Sequence, residues 1–185
     1  MKYTLQLNNN ESVIAEIKPA VQNDIAELLA LNQKWQLVNL NNQTEKGFLG
    51  GSFDTETFSY LIDENAVIVA KVNHKLVAYM LSINHIETGV LLEHRTMANK
   101  VIADGLVPLD SKIAIGIQTA VEEAYHGTGL IVMVRNEFKN LMRSRYQYFF
   151  TTISTDNVRS YKSATKFGWQ VVEQNEHHYY LILKV

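Results

Sequence analysis

The 185-residue sequence contains no cysteine, no long apolar run and no large excess of charge of one sign. The absence of cysteine excludes disulfide bonds, thiolate catalysis and zinc sites with cysteine ligands. No apolar run approaches the roughly 18 residues of a membrane span, and the first residues lack the basic and then apolar layout of a signal peptide. We therefore expect a cytoplasmic protein without membrane contact and without a metal site.

The balance of charge argues against polyanionic partners. Lys and Arg number 17 and Asp and Glu number 19, which gives a net charge of −2 and an isoelectric point near 6.3. Such a chain has no overall field that attracts nucleic acid. Its hydrophobic fraction of 46% allows a sizeable core. The length predicts one domain over residues 1–185, in which residues 1–12 are a flexible lead-in or an edge segment.

Hydrophobic periodicity predicts an α/β (α+β) protein, with a mixed sheet flanked by helices. Strands are predicted at 13–18, 66–72, 75–83, 112–121, 148–154, 169–172 and 178–185, and helices from 24 and over 54–62, 131–142 and 157–167. Asn73 and His74 have the length of a two-residue hairpin turn, and Asp54 is the predicted cap of the helix over 54–62. The aromatic- and glycine-rich stretch 35–53 either recognises a ligand or covers the edge of the core, and the role of residues 84–110 stays open.

A pair of glycines marks the most informative stretch of the chain. Tyr125-His126-Gly127-Thr128-Gly129-Leu130-Ile131 lies where a predicted strand gives way to a helix. Backbone N–H groups at a helix N-terminus bind anions such as phosphate, and glycine allows the ligand to approach closely. The stretch lacks the lysine of the Walker A motif and the third glycine of the dinucleotide fingerprint. Taken alone, the glycine pair is also compatible with a purely structural turn.

Two motifs at the right separation point to a known family. The signature Gln/Arg-x-x-Gly-x-Gly/Ala places its first residue on His126 and its central glycine on Gly129, while Ile131 departs from its last position. Downstream, NVRSYKSATKFGW matches an Asn-x-x-Ser helix that ends in a Lys-x-Gly-aromatic step, with these residues in register: Asn157, Ser160, Lys166, Gly168 and Trp169. From Ile113 to Val171 the sequence resembles the GNAT superfamily of N-acetyltransferases.

The resemblance implies a fold and a co-substrate. The fold is a GNAT-like, mostly antiparallel twisted sheet flanked by helices, in which two central parallel strands, 112–121 and 148–154, splay apart. The co-substrate is acetyl-CoA, whose pantetheine arm enters the gap and pairs with backbone groups of Ala120 and Val121. Its diphosphate is expected to meet the N–H groups of Gly127, Thr128, Gly129, Leu130 and Ile131.

Four polar side chains near this predicted cofactor site have two interpretations each. His126 either donates to a phosphate or is a surface histidine. Asn157 either contacts the cofactor, as the resemblance implies, or caps its own helix. Arg135 and Lys139 either reach the phosphates or lie on a solvated helix face.

The resemblance does not extend to the usual catalytic residues. Acyl transfer to an amine needs an acceptor for the amine proton, a donor for the tetrahedral oxyanion and a proton donor for the thiolate. The tyrosine that the family commonly uses as proton donor is Ala164 here, and the glutamate of some members is Thr152. Tyr161, one helical turn earlier, is a substitute donor or a buried aromatic residue. Glu122 or Glu123 is a base acting through water or an exposed carboxylate.

The sequence therefore predicts an acetyl-CoA-dependent N-acetyltransferase that acts on a primary amine of a small molecule or a protein. Two alternatives stay open: a non-catalytic acyl-CoA-binding module, and a GNAT-fold interaction protein that has lost the cofactor. The acceptor side is expected from 35–53, 84–110 and the last strands. Four charged residues there either attract a cationic amine or are ordinary loop charges: Glu93, His94, Asp104 and Asp110. Pairing of the last strand between subunits would give a homodimer.

Overall fold

The computed structural model describes residues 1–41, 43–84 and 89–185, with the backbone alone for 89 and 90. Within these ranges the chain forms nine strands and five α-helices. The strands are β1 Lys2–Gln6, β2 Ser12–Pro19, β3 Val67–Val72, β4 Lys75–Leu81, β5 Ile113–Ile115, β6 Gln118–Val121, β7 Tyr148–Ser154, β8 Gln170–Gln174 and β9 His178–Lys184. The helices are α1 Ile25–Lys34, α2 Thr55–Asp63, α3 Gly89–Ala103, α4 Leu130–Met142 and α5 Val158–Lys166.

The strands form two sheets. Five strands in the order β1-β2-β3-β4-β6 are antiparallel throughout. Four strands follow the order β5-β7-β9-β8, and of these β5 and β7 are the parallel pair. This arrangement confirms the predicted mixed and mostly antiparallel sheet flanked by helices.

The helices divide between the two sides of the sheets. α4 packs through Val134 against strands of both sheets, in a cluster that α5 joins. α1 covers the other side of the five-stranded sheet through Leu28, with α2 beside it, and α3 covers the other side of the four-stranded sheet through Leu91. Because side chains alternate between the faces of a strand, Phe149 packs with α4 whereas Phe150 packs with α3.

The N-terminal residues form an edge strand and not a flexible lead-in. β1 pairs along its whole length with β2. The polar cluster at residues 8–12 is the turn between these strands, where the Leu7 N–H donates to the Glu11 carbonyl at 2.9 Å. Leu5 is 1% exposed, so burial of its side chain holds the strand against the core.

The predicted strand 112–121 is divided at Gly116, and its halves belong to different sheets. Gly116 has a φ of +67, a left-handed conformation that few residues other than glycine adopt. A Cβ at this position would lie 2.0 Å from Cγ1 of Ile83. The expectation of one continuous strand was wrong, because the alternation of isoleucines with small residues runs through the break unchanged.

Two local signals are confirmed. Asn73 and His74 have φ values of +49 and +66, as the type I′ turn of a two-residue hairpin requires. Asp54 caps α2 by accepting a hydrogen bond from the Thr57 N–H at 2.8 Å. The β3-β4 hairpin and the start of α2 are therefore determined by the residues at their ends.

Candidate functional site

A cleft opens where β6 and β7 separate. The last backbone hydrogen bond between the two parallel segments runs from the Gly116 N–H to the Phe150 carbonyl, at 3.0 Å. The Thr151 hydroxyl then donates to the Ile117 carbonyl at 3.0 Å. Beyond this point β6 pairs with β4 and β7 pairs with β9, and a cavity of about 1310 Å³ lies between them. The predicted gap between the splayed strands is confirmed.

Alternation of backbone groups along β6 decides which of them face the cleft. The Glu122 N–H donates to the Val77 carbonyl of β4 at 2.8 Å, so the backbone groups of Ala120, two residues earlier, also pair with β4. Thr119 and Val121 therefore direct their N–H and C=O groups to the cleft. The backbone groups of Ala120 belong to the β4 ladder, so the structure favours Thr119 and Val121 as the residues of β6 that face a ligand, and their contact with a cofactor stays a prediction.

The glycine turn forms the rim of the cleft at the start of α4. Gly127 and Gly129 have φ values of +81 and +82, and a Cβ on either would meet nothing within 4 Å. Among the residues that the structure describes, the N–H groups of Gly127, Gly129 and Ile131 have no hydrogen-bond acceptor. They lie at the positive end of the helix dipole, and such a set of free donors binds an anion.

The backbone groups of Thr128 and Leu130 are engaged within the turn. The N–H and the hydroxyl of Thr128 both donate to the Tyr125 carbonyl, at 3.5 and 2.8 Å. The Leu130 side chain is buried, and its N–H lies 3.4 Å from the Thr128 hydroxyl oxygen. Of the five N–H groups predicted to meet a diphosphate, these two are therefore the least available.

His126 links the turn to the strand. Its Nε2 lies 3.0 Å from the Val121 carbonyl oxygen, and its ring packs against Trp35 with centroids 5.5 Å apart. Burial lowers the pKa of His126, and the charge of Arg159 acts in the same direction. Because a carbonyl only accepts, Nε2 carries the proton, and the neutral ring has no second N–H to donate. The structure therefore favours a positioning role over the predicted phosphate contact.

Asn157 caps α5 and holds the 35–53 stretch. Its Oδ1 accepts from the Ser160 N–H at 3.2 Å, and its Nδ2 donates to the Phe48 carbonyl at 2.7 Å. The residue is 4% exposed. Of the two interpretations, the structure supports the helix cap, and a cofactor contact by Asn157 stays a prediction.

The double role of Asn157 has a measurable consequence. Asn157→Ala is expected to lower the free energy of unfolding by about 2 kcal/mol. Roughly half of this loss comes from the missing helix cap and half from the Phe48 carbonyl, which loses its hydrogen-bond donor. Asn157→Ser keeps an acceptor for the helix N-terminus and should lose only about 1 kcal/mol. Urea unfolding of the three proteins measures the difference. Equal losses in the two variants would contradict the double role.

Cations outnumber carboxylates around the cavity, although the whole chain has a net charge of −2. The cationic lining residues are Lys46, Arg135, Arg159, Lys162 and Lys166. The last three share one face of α5, at the i, i+3 and i+7 spacing of a helix. Glu93 is the one carboxylate among the described residues that line the cavity. The local charge therefore favours an anionic ligand.

Polar residues of α3 and the four-stranded sheet line the other side of the cavity. His94 of α3 is 8% exposed, and its Nε2 lies 2.9 Å from the Thr152 hydroxyl oxygen of β7. Nearby, the Tyr180 hydroxyl donates to a Glu93 carboxylate oxygen at 2.9 Å. The pairing of His94 with Thr152 was missed from the sequence because it joins residues that are 58 positions apart.

Of the four charged residues predicted for the acceptor side, the structure brings two to the cavity. Glu93 and His94 line it, and residues 46–53 of the aromatic-rich stretch line it as well. Asp104 forms an ion pair on the exposed surface, with 2.6 Å between its Oδ2 and a lysine Nζ. Asp110 is exposed and lies outside the described cavity lining.

The acid and base suggested by the sequence are not brought together. Tyr161 stacks on Tyr179 with ring centroids 4.2 Å apart, and it lies outside the described residues that line the cavity. Glu122 forms an ion pair with Lys34, and Glu123 is exposed. The role of Tyr161 as a proton donor stays a prediction that this position does not favour.

The part of the chain that the structure describes contains no candidate metal site and no candidate membrane span. No group of three or more His, Asp or Glu side chains there could hold a metal ion. No helix in the same ranges is long and apolar enough to cross a membrane.

The chain shares its fold with solved acetyltransferases. A GNAT-family acetyltransferase from Listeria monocytogenes 4b F2365 has a TM-score of 0.70 and 11% identity, covering 99% of this chain and 100% of that one. The ribosomal-protein-S18-alanine N-acetyltransferase from Escherichia coli has a TM-score of 0.60 and 12% identity, covering 92% and 94%. The protein yncA from Salmonella typhimurium, whose structure contains its cofactor acetyl-CoA, has a TM-score of 0.60 and 13% identity, covering 92% and 93%. No protein-family model and no curated protein matches the chain.

Proposed function

We propose that this protein is an acetyl-CoA-dependent N-acetyltransferase that transfers an acetyl group to a primary amine of a small molecule or a protein. The observation that carries the proposal is the cleft between β6 and β7. It joins a rim of free N–H groups at the glycine turn to an interior that reaches the polar residues of α3. A passage of this kind suits a long ligand with an anionic head and a reactive acyl end.

The cofactor side of the cleft is built from backbone donors and surface cations. The N–H groups of Gly127, Gly129 and Ile131 are available to a diphosphate, and the basic face of α5 adds charge for a further phosphate. Thr119 offers its N–H and C=O groups to the amides of a pantetheine arm, and Val121 offers its N–H, because His126 already donates to the Val121 carbonyl. Acetyl-CoA supplies the activated acetyl thioester, and these residues supply its orientation.

The acceptor side must remove a proton from the amine. An alkylamine with a pKa near 10.4 is neutral in only on the order of one molecule in two thousand at pH 7. The hydrogen-bonded pair of His94 and Thr152 lies on this side, and imidazole exchanges protons near neutral pH. We infer that this pair receives the proton of the attacking amine, while Glu93 attracts the cationic substrate.

A non-catalytic acyl-CoA-binding module is the second candidate. The observation that favours it is Ala164, which stands in the cavity wall where a tyrosine donor is common in the GNAT family. Such a protein would bind acetyl-CoA but release no thiol from it. The two candidates share the cleft and differ only in turnover.

A thermal-shift titration with acetyl-CoA, CoA and ATP tests the binding half of the proposal. A ligand at 100 times its dissociation constant adds about 2.7 kcal/mol to the free energy of unfolding, which raises Tm by roughly 5–10 °C for a chain of this size. We expect such a rise with acetyl-CoA and CoA, and a much smaller one with ATP. Equal rises with all three ligands would indicate a general phosphate site, and no rise at all would overturn the proposal.

Turnover then separates the enzyme from the binding module. The free thiol released from acetyl-CoA is measured with a panel of polyamines, arylalkylamines, amino sugars and peptides that carry a free N-terminus or a lysine. We expect release above the amine-free background with at least one of these classes. Binding of acetyl-CoA without release across the panel would favour the second candidate.

A further inference from the structure

Arg135 of α4 is a buried cation that has no ion-pair partner in the part of the chain that the structure describes. The residue is 9% exposed, it lines the cavity, and its Cζ lies 4.0 Å from the centroid of the Phe167 ring. Among the described residues, no group accepts a hydrogen bond from its enclosed Nε and Nη1. Burial lowers the pKa of Arg135 to about 10, so the guanidinium is still charged at neutral pH. A buried charge without a counter-charge destabilises a fold, which indicates that an anion joins Arg135 in the working protein.

The position of Arg135 in the cleft indicates which part of an anionic ligand would contact it. Trp169, two residues after Phe167, packs on Phe149 with ring centroids 6.4 Å apart. Phe149 lies in the stretch where β5 and β7 are still paired, so Arg135, about 9 Å along α4 from the glycine turn, lies on the way from that turn to the closed end of the cleft. The glycine turn, where His126 contacts the last residue of β6, lies at the open end. A ligand with its phosphates at the turn would therefore bring its opposite end toward Arg135.

Ala164 lines the cavity on the same side of α5 as Phe167, the ring against Arg135. Ala164 precedes Phe167 by three residues, so the two lie one above the other on the same side of α5. The family that the sequence resembles commonly has a tyrosine donor at the position of Ala164. A departing sulfur at this end of the cleft would find a cation but no hydroxyl from that position.

We propose that Arg135 holds the thiolate that leaves when the thioester of acetyl-CoA is broken, an inference that rests on the proposed function. The amine nitrogen forms a bond to the acetyl carbon, the carbon–sulfur bond breaks, and its electron pair stays on sulfur. The proton lost by the attacking nitrogen passes to the hydrogen-bonded pair of His94 and Thr152. Arg135 stabilises the anion by its charge and does not protonate it, so CoA departs as the thiolate.

The ionisation of bound CoA tests this role without any amine acceptor. Protein saturated with CoA is titrated while the ultraviolet absorbance of the thiolate is followed. An alkyl thiol such as that of cysteine has a pKa of about 8.5, and a close positive charge lowers it by about 1–3. We expect bound CoA at pH 7 to be thiolate at least tenfold more often in the wild type than in Arg135→Met, with Arg135→Lys in between. Lys139→Met, which removes the cation one turn further along α4 and outside the described lining of the cavity, is the matched control and should titrate like the wild type.

Three results would overturn the inference. The first is an equal thiolate fraction in the wild type and Arg135→Met at saturation. The second is a loss of affinity in Arg135→Met for CoA that disappears with dephospho-CoA, which would make Arg135 a phosphate contact. The third is an equal fall of the thiolate fraction in Lys139→Met, which would make the effect one of general charge. Failure of the wild type to bind CoA would remove the proposed function itself and is seen before any variant is made.

The fold of the variants is checked by their melting temperature without ligand. Arg135→Met removes a buried and unpaired charge, so its melting temperature is expected to equal or exceed that of the wild type. If this variant fails to fold, Arg135→Gln keeps a polar side chain without the charge and takes its place in the titration. A thiolate fraction in Arg135→Gln equal to that of the wild type would likewise overturn the inference.

Discussion

Gly116→Ala is expected to lower the free energy of unfolding by about 2–6 kcal/mol. The added Cβ would lie 2.0 Å from Cγ1 and 2.6 Å from Cδ1 of Ile83, and the residue would keep a φ of +67. Strain at a left-handed residue costs about 1–3 kcal/mol, and forcing an extra carbon into a packed region costs a similar amount. Because the two causes are separate, we expect their effects to add. Urea unfolding of the variant and the wild type measures the loss.

Gly105→Ala is the matched control for this prediction. Gly105 has a similar φ of +72, but an added Cβ would meet nothing within 4 Å. The control therefore carries the strain without the collision and should lose only about 1 kcal/mol. In the double variant G116A/I83A the collision is relieved, so its loss should be smaller than the sum of the single losses. Equal losses in G116A and G105A would show that Ile83 moves aside without penalty.

The conformation of Gly116 also explains why the cleft exists. Its N–H still bonds to β7, whereas the residues after it join β4 in the other sheet. Ile83, just beyond the end of β4, packs in the place that a Cβ would take. As a consequence, no strand of the described ranges pairs with that edge of β7 past Phe150. One glycine thus links the stability of the fold to the opening in which a ligand is proposed to bind.

Elements that are determined locally could be predicted from the sequence. Asn73 and His74 suit the positive φ of a tight hairpin, and Asp54 is followed by the N–H groups that it caps. The break at Gly116 could not be predicted in this way. Its cause is the side chain of Ile83, which belongs to a different part of the chain, and the sequence around Gly116 keeps the alternation of an unbroken strand.

In the candidate site as well, some features could be predicted from local sequence and others could not. The glycine turn and the gap followed from two motifs whose residues sit close together in sequence. The burial of Arg135 depends on how α4 meets Phe167 at the end of α5, and its sequence spacing allowed a solvated face equally well. The pairing of His94 with Thr152 depends on how α3 lies on the four-stranded sheet, and no pattern in 84–110 indicates that packing. Partners across elements are decided by tertiary packing, which local patterns do not contain.

Gly129→Glu is expected to weaken acetyl-CoA binding by about 100-fold or more, equivalent to about 2.7 kcal/mol, while the fold is kept. A side chain at Gly129 has room, because nothing lies within 4 Å of its Cβ, although the φ of +82 adds strain. The new carboxylate would stand at the N-terminus of α4, beside the free N–H groups of Gly127 and Ile131. This carboxylate would accept hydrogen bonds from these N–H groups and would repel an incoming diphosphate. Isothermal titration calorimetry with acetyl-CoA measures the change in affinity.

Gly105→Glu is the control that distinguishes the effect of the position of Gly129 from the effect of an added carboxylate. Gly105 shares a positive φ and an open surrounding with Gly129, and it lies outside the described lining of the cavity. Both variants add one carboxylate and similar strain, about 1–3 kcal/mol, so their melting temperatures should fall alike. If both lose binding, the cause is the fold or the overall charge, and if neither does, the glycine turn is not the anion site. A loss confined to G129E requires the anionic part of acetyl-CoA to lie at the start of α4, because that position is what distinguishes the two variants.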